Sequence, residues 1–228
     1  MTSLSAINRR IISCNLCPRL RAYCGRVAAE KRRAHRDETY WGRPVPGLGD
    51  PLAQLLIVGL APGAHGANRT GRIFTGDSSG DFLFRALHRA GFANQPGSRS
   101  RDDGLVLTGA YISAAARCAP PANKPMREEL DNCRPYLAAE LGALPEVKVI
   151  VALGRIAFDA VLIVLGNRGA AVRPHPPFAH ARACSFGAGL PTVITSYHPS
   201  RQNTNTGRLT EPMFDEVFRL ARGRLTIQ

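Results

Sequence analysis

The chain has 228 residues, of which 44% are hydrophobic, and it carries a formal net charge of +13. This length and apolar content can bury one sizeable core, so we expect residues 1–228 to form a single domain. No apolar run is long enough to cross a membrane and the N-terminus lacks the apolar centre of a secretory signal, which predicts a cytoplasmic protein. The charge comes from Arg far more than Lys, which suits phosphate binding, although charge alone fits binding to any polyanion equally well.

Four of the six cysteines form a pattern typical of a metal site. They are Cys14, Cys17, Cys118 and Cys133. Two thiolates separated by two residues can bind one ion or one face of a cluster, and two distant cysteines can complete the coordination. The spacing alone fits zinc and an iron–sulfur cluster about equally. We assign Cys24 and Cys184 to packing, and the basic run at 26–36 to a solvated helix face or a loop near the metal site.

Four apolar runs predict buried strands, and helices follow two of them. The runs span residues 55–60, 105–113, 147–153 and 192–197. A Pro- and Gly-rich loop at 61–80 and an amphipathic helix from about 81 to 90 follow the first run, and a helix at 154–165 follows the third. Alternating strands and helices predict a central, mostly parallel four-stranded sheet with helices on both faces. Ligands bind such sheets at the carboxyl ends of the strands.

The first loop, residues 59–77, reads GLAPGAHGANRTGRIFTGD. Its small residues would let backbone N–H groups approach a flat polar ligand, while Phe74 offers a stacking face and Asp77 a carboxylate. Taken alone, Asp77 would be better explained as the N-cap of the next helix. The loop lacks the G-x-G-x-x-G spacing and the chain contains no phosphate-binding G-x-x-x-x-G-K-[ST] loop, so we reject both nucleotide-binding interpretations.

Two later segments contain further candidate residues. Residues 111–125, YISAAARCAPPANKP, include Asn123, an amide that either shapes a turn or orients water or a base. Residues 198–210, HPSRQNTNTGRLT, begin with His198 at a strand end, where it can donate a hydrogen bond to charge on a leaving group. A lone strand-end His is more often structural. Here it precedes donors suited to DNA, namely Ser200, Arg201, Gln202 and Asn203.

Together these segments and the cysteines resemble the family 5, or type B, uracil-DNA glycosylases, an iron–sulfur branch of the uracil-DNA glycosylase superfamily. The resemblance extends from Cys14 to about Thr210. It implies a three-layer α/β/α sandwich with an N-terminal segment that binds a 4Fe-4S cluster. It also implies hydrolysis of the N-glycosidic bond of uracil and other deaminated bases, such as hypoxanthine, in single- or double-stranded DNA. The chain contains no evident lyase nucleophile, so we expect an abasic site as the product. We also expect a monomeric, nucleoid-associated enzyme that starts base excision repair.

The resemblance also assigns roles to individual residues. The implied catalytic residues are Asp77, Asn123 and His198. The implied base-binding residues are Gly59, Leu60, Ala61, Pro62, Gly63 and Phe74. The implied DNA-binding residues are Ser200, Arg201, Gln202 and Asn203. The implied cluster ligands are Cys14, Cys17, Cys118 and Cys133.

Four alternatives fit the sequence less well. The related family 4, or type A, uracil-specific enzymes have GEAPG where this chain has GLAPG, so Leu60 favours family 5 and a less selective pocket. The GQDPY sequence of classical uracil-DNA glycosylases is absent from the chain. A non-catalytic iron–sulfur damage sensor would explain the charge and the cysteines, but it would not need Asp77 and His198 on separate loops at one edge of the sheet. An iron–sulfur redox protein would explain the cysteines alone.

Overall fold

The protein is described from a computed structural model that covers residues 3–226. The α-helices in this range are α1 (Leu4–Ile12), α2 (Pro18–Glu30), α3 (Ala67–Thr70), α4 (Ser78–Arg89), α5 (Arg127–Gly142), α6 (Arg155–Gly166), α7 (Arg201–Asn205) and α8 (Glu211–Thr226). The strands are β1 (Leu48–Gly49), β2 (Leu55–Gly59), β3 (Ala110–Ala114), β4 (Val149–Leu153), β5 (Arg182–Cys184) and β6 (Thr192–Ser196). None of the described helices is both long and apolar enough to span a membrane.

All six strands belong to one sheet, in the order β1-β3-β2-β4-β6-β5. The four predicted strands are the inner ones, and each pairs in parallel with its inner neighbours. The prediction of a four-stranded sheet was therefore wrong in number, because β1 and β5 add antiparallel edges. These edge strands contain two and three residues, too few for a periodic pattern to be read from the sequence.

Strand β3 begins at Ala110, five residues later than the apolar run at 105–113 predicts. The strand cannot begin earlier because Gly109 has a φ of +67°, which is not a strand conformation. The side chain of Asp50 fixes this turn by accepting the Gly109 N–H at 2.7 Å. Residues 105–108 instead form a loop in which Leu107 bridges to Ala93.

Helices cover both faces of the sheet, each over its own hydrophobic core. In β2, Leu55 and Ile57 face the core formed with α4 and α8, whereas Leu56 and Val58 face the core formed with α5 and α6. Burying each such side chain contributes about 1.5–3 kcal/mol. Because successive strand residues point to opposite faces, a continuous apolar run such as LLIVG fits a strand covered on both sides. The predicted mostly parallel α/β architecture is thereby confirmed.

A buried ion pair connects the segment after β3 with α5. The carboxylate of Glu140, which is fully buried, pairs with the guanidinium of Arg117, whose side chain is 2% exposed. The same carboxylate accepts the Ser113 hydroxyl at 2.6 Å and the Tyr111 hydroxyl at 3.3 Å. Burial and the Glu140 charge raise the pKa of Tyr111, so this phenol stays protonated. The network holds the chain in place immediately before Cys118.

The three candidate loops leave the sheet at one edge. They follow β2, β3 and β6, which are parallel inner strands, so their carboxyl ends point the same way. The loop after β2 contains Asp77, the loop after β3 contains Asn123, and the loop after β6 begins at Tyr197 and contains His198. The topology therefore brings residues that lie up to 121 positions apart in the sequence to a single site.

Candidate active site

A cavity of about 840 Å³ opens where these loops meet. Its walls include all three predicted catalytic residues, Asp77, Asn123 and His198. Four predicted base-binding residues also line it, namely Leu60, Ala61, Gly63 and Phe74. Three predicted DNA-binding residues do so as well, namely Ser200, Arg201 and Gln202. The volume lies in the range of small-ligand pockets and can accept a purine as well as a pyrimidine.

The two carboxylate oxygens of Asp77 have different surroundings. Oδ1 caps helix α4, where it accepts the backbone N–H groups of Ser79 at 3.1 Å and Gly80 at 3.0 Å. Oδ2 faces the glycine loop, so closely that a Cβ on Gly66 would lie 1.9 Å from it. Burial raises the pKa of Asp77 despite the two capping hydrogen bonds. Asp77 is therefore the helix cap that the sequence indicated, and it also presents a second oxygen at the cavity.

His198 lies beside Phe74, with the ring centroids 6.0 Å apart and the planes 28° from parallel. Burial lowers the pKa of His198 to about 4, so the imidazole is neutral at physiological pH. Within residues 3–226 its ring nitrogens make no hydrogen bond, which leaves an N–H available to a ligand. The peptide of His198 is held instead by Asn203, whose amide donates to the His198 carbonyl at 2.8 Å.

Three predicted site residues do not line the cavity. The Phe74 ring packs directly against Gly59, where a Cβ would lie 2.7 Å from Phe74 Cε2. Pro62 is buried beneath the loop. Asn203 turns inward to the His198 carbonyl, so its amide supports the loop rather than the cavity mouth. These residues shape the site from behind its surface.

Asn123 occupies a strained turn at the cavity wall. It ends the short 3-10 turn Pro121–Asn123 and has a φ of +57°, in the left-handed region that Asn tolerates better than most residues. Its side chain is exposed. The turn-forming and ligand-orienting interpretations of Asn123 are thus compatible, because the turn is what brings the amide to the cavity.

Sequence reasoning missed a group of cavity residues from the N-terminal half. His65, from the first loop, lines the cavity, and so do Arg32 and His35 from the basic run. The Tyr40 hydroxyl lies 3.1 Å from His65 Nδ1 and links the two segments. Only the basic composition of residues 26–36 marked this region in advance, and composition does not show which side chains reach a cavity.

The four predicted ligand cysteines gather at one place. Burial, together with the charges of Cys17 and Cys14 and against the opposing effect of Arg117, raises the pKa of Cys133 to about 11. A hydrogen bond with Cys24, then burial, then the charges of Cys24 and Cys133 raise the pKa of Cys118. Such interactions require short separations, so the fold brings together α2, α5 and the segments that precede α2 and follow β3. Cys24 therefore packs as predicted, and it does so against a proposed ligand.

The surroundings of these cysteines fit a group bound through thiolates. The Asn132 amide donates to Cys17 Sγ at 3.5 Å, and the backbone N–H of Arg117 donates to the Cys133 thiol. Donors of this kind stabilise thiolate ligands. Across residues 3–226 no three His, Cys, Asp or Glu side chains are arranged around a single-ion position.

The sequence of the chain matches a known class of DNA enzymes. The sequence profile of the uracil DNA glycosylase superfamily matches residues 46–222, and the chain belongs to that superfamily. It is similar to the type-5 uracil-DNA glycosylase of Thermus thermophilus, with 53% identity over 217 residues that cover 95% of this chain and 96% of the relative. A type-5 uracil-DNA glycosylase of Mycobacterium tuberculosis is 48% identical over 96% of this chain and 81% of its own length.

Within the superfamily the chain is a member of the type-5 branch, which confirms the resemblance inferred from the loop motifs. The type-4 uracil-DNA glycosylase of Archaeoglobus fulgidus is more distant, at 32% identity over 69% of this chain and 62% of that protein. This difference agrees with Leu60 in place of the family 4 Glu. The chain is therefore a glycosylase enzyme rather than a redox protein.

Proposed function

We propose that this protein is a monofunctional glycosylase that hydrolyses the N-glycosidic bond of uracil in DNA and so starts base excision repair. The convergence of Asp77, Asn123 and His198 on one cavity carries the proposal. The test is incubation of excess protein with a uracil-containing oligonucleotide, followed by alkali. We expect strand cleavage at the uracil position after alkali and an intact strand without it. A strand that survives alkali would contradict the proposal.

The substrate must leave the helix before it can react. A base inside a duplex is inaccessible, so the nucleotide rotates into the cavity at a cost of about a few kcal/mol, which is smallest for a mismatched base. Uracil opposite guanine is favoured for this reason. Arg201 and Gln202, at the mouth of the cavity, hold the strand, and Phe74 packs against the extruded base.

The cavity residues then stabilise charge that develops as the bond breaks. Cleavage leaves negative charge on the base and positive charge on the sugar. His198, neutral because burial lowers its pKa, donates an N–H to the base anion, and backbone N–H groups of residues 61–63 add further donors. Asp77 Oδ2 and the Asn123 amide position the attacking water, and the carboxylate favours the cationic sugar.

We propose a 4Fe-4S cluster bound by the thiolates of Cys14, Cys17, Cys118 and Cys133. The gathering of these thiols and the N–H donors directed at two of them support it. When bound, the cluster supplies a covalent cross-link between the N-terminal helices, α5 and the loop after β3. Hydrolysis requires no electron transfer, so the cluster has a structural role.

Replacing Cys118 with Ser should remove iron and lower the melting temperature together, because metal binding and folding are coupled. The matched control is Cys184→Ser, which changes another buried thiol far along the sequence in β5 and should retain iron. The measurement is iron content and visible absorbance per chain, with thermal unfolding of the same samples. Wild-type protein that binds stoichiometric zinc and no iron would contradict the assignment.

We propose that the cavity also accepts other deaminated bases. Leu60 contributes an apolar side chain to the cavity wall. A polar side chain there could distinguish one base from another by hydrogen bonds, whereas an apolar wall distinguishes bases only modestly. Hypoxanthine should therefore be excised alongside uracil from duplexes that differ only in the target base. Single-turnover rates measure this, with adenine in the same position as the unreactive control. If uracil is excised and hypoxanthine is not, the proposal is wrong and another residue must select uracil by hydrogen bonds to the edge of the base.

The proposed substrate includes single- and double-stranded DNA, because the mouth of the cavity requires only one extruded nucleotide. The net charge of +13 supports binding to either form. We propose that the enzyme acts as a monomer at the nucleoid, where its substrate lies, since one chain supplies every proposed catalytic residue.

A further inference from the structure

The basic run that precedes the sheet reaches the active site. Residues 31–36, which we call the basic loop, lead from helix α2 into the short 3-10 turn Arg33–His35. Arg32 and His35 line the same cavity as Asp77 and His198, although they lie more than 40 positions from either in the sequence. Arg33 and Arg36, in the same loop, do not line it.

Two hydrogen-bonded connections hold the basic loop against the first loop, residues 59–77. In the first, the Arg32 backbone N–H donates to the Tyr40 hydroxyl at 3.4 Å, and this hydroxyl lies 3.1 Å from His65 Nδ1. Tyr40 is buried, with 8% exposure, so the connection is shielded from solvent. The position of Arg32 is therefore tied to that of His65 in the first loop.

The second connection runs through Glu38 and Arg69. Glu38 binds His35 Nδ1 at 2.7 Å through one oxygen and pairs with the Arg69 guanidinium through the other. Arg69 then donates to the carbonyl of His65 at 2.8 Å and to that of Gly76 at 3.0 Å. Gly76 directly precedes Asp77. The basic loop is thus connected to the first loop at two places, His65 and Gly76. Such preorganisation lowers the entropy cost of ordering the loop when a ligand binds.

The Arg32 side chain has no internal role that accounts for its position. It is exposed, and throughout residues 3–226 its guanidinium makes neither an ion pair nor a hydrogen bond. By contrast, Arg69 is buried in the contacts just described. Burial, followed by the charges of Arg32, His35 and Arg69, lowers the pKa of His65, so the cavity edge is electropositive. An anion that approaches this edge can accept hydrogen bonds from the Arg32 guanidinium.

We propose that Arg32 is a DNA-positioning residue that binds a backbone phosphate next to the extruded nucleotide, with Tyr40, His35 and Glu38 holding it in place. The inference rests on the proposed function, because it takes the strand entering the cavity to be DNA. It adds a second basic contact to that of Arg201, from a segment outside the three active-site loops. Two phosphate contacts from separate segments can keep the strand bent while the base is extruded.

The experiment compares Arg32→Ala with Arg33→Ala, which removes the same charge from the same loop outside the cavity. Binding is measured by fluorescence anisotropy over a series of salt concentrations, on a duplex with a tetrahydrofuran abasic-site analogue. For Arg32→Ala we expect about tenfold weaker binding and a salt slope reduced by about one. For Arg33→Ala we expect a change of less than about twofold, as for a charge without a phosphate partner.

A second arm locates the phosphate. Neutral methylphosphonates replace single phosphates on either side of the abasic analogue, and one position should weaken wild-type binding while leaving Arg32→Ala binding unchanged. Equal losses for both Arg variants, or no position coupled to Arg32, would overturn the inference. These measurements require no catalysis. A wild-type protein that fails to excise uracil therefore refutes the proposed function, whereas active wild-type protein with no Arg32 effect refutes this inference alone.

Discussion

Replacing Asp77 with Asn should slow single-turnover excision of uracil by about 10²–10³-fold, equivalent to about 2.7–4 kcal/mol, and leave the melting temperature nearly unchanged. The amide oxygen of Asn can still accept the Ser79 and Gly80 N–H groups, and Asn is as good an N-cap as Asp. It lacks the negative charge that we propose positions the water and favours a cationic sugar. The substitution therefore separates the two roles of this side chain.

Asp77→Ala is the companion variant. It removes the cap as well, so it should lose about 1 kcal/mol of stability in addition to activity. DNA affinity should change little in either variant, because the charge acts on the transition state. If Asp77→Asn excises uracil at the wild-type rate, Asp77 is only a helix cap and another group must position the water.

Replacing Arg117 with Met should lower the free energy of unfolding by about 3–5 kcal/mol, the largest stability effect that we expect of a substitution outside the proposed cluster ligands. The Glu140 carboxylate would remain fully buried, with only the Ser113 and Tyr111 hydroxyls as partners. A buried charge without its counter-ion costs more than the pair contributes. Urea unfolding measures the effect, and iron analysis of the same samples tests whether the cluster that we propose at the neighbouring Cys118 is retained.

Two controls define the origin of this loss. Arg117→Met combined with Glu140→Leu removes both charges and should recover most of the stability, since apolar replacements of buried pairs are often neutral. Arg127→Met removes an exposed Arg that pairs with Asp131 at 3.9 Å, and it should have no measurable effect. If Arg117→Met is no more destabilising than Arg127→Met, Glu140 is not held as a carboxylate by this pair.

The parts of the fold that follow from local pattern could be predicted from the sequence. Runs such as LLIVG are apolar throughout because both faces of the inner strands are covered. Five consecutive residues are enough to show this pattern in the sequence. The same holds for the loops that contain Asp77 and His198, since parallel strands place their carboxyl ends together. The edge strand Leu48–Gly49 could not be found, because two residues carry no period.

Long-range polar contacts could not be predicted either. Arg117 and Glu140 are separated by 23 positions, and neither residue differs in type from the many exposed Arg and Glu of the chain. The link from Arg32 through Tyr40 to His65 depends on where helix α2 ends, which the basic composition does not determine. Asn203 was assigned to DNA from its residue type, whereas the tertiary fold turns its amide toward the His198 carbonyl.

The close approach of two glycines to site residues limits how this enzyme can evolve. A Cβ on Gly66 would collide with Asp77 Oδ2, and one on Gly59 would collide with the Phe74 ring. Mutation at either position displaces a side chain to which we assign a catalytic or stacking role, before it alters any contact with a base. Leu60 and Ala61 already have side chains in the cavity wall, so selection for a new base preference can act there and leave the hydrolytic chemistry intact.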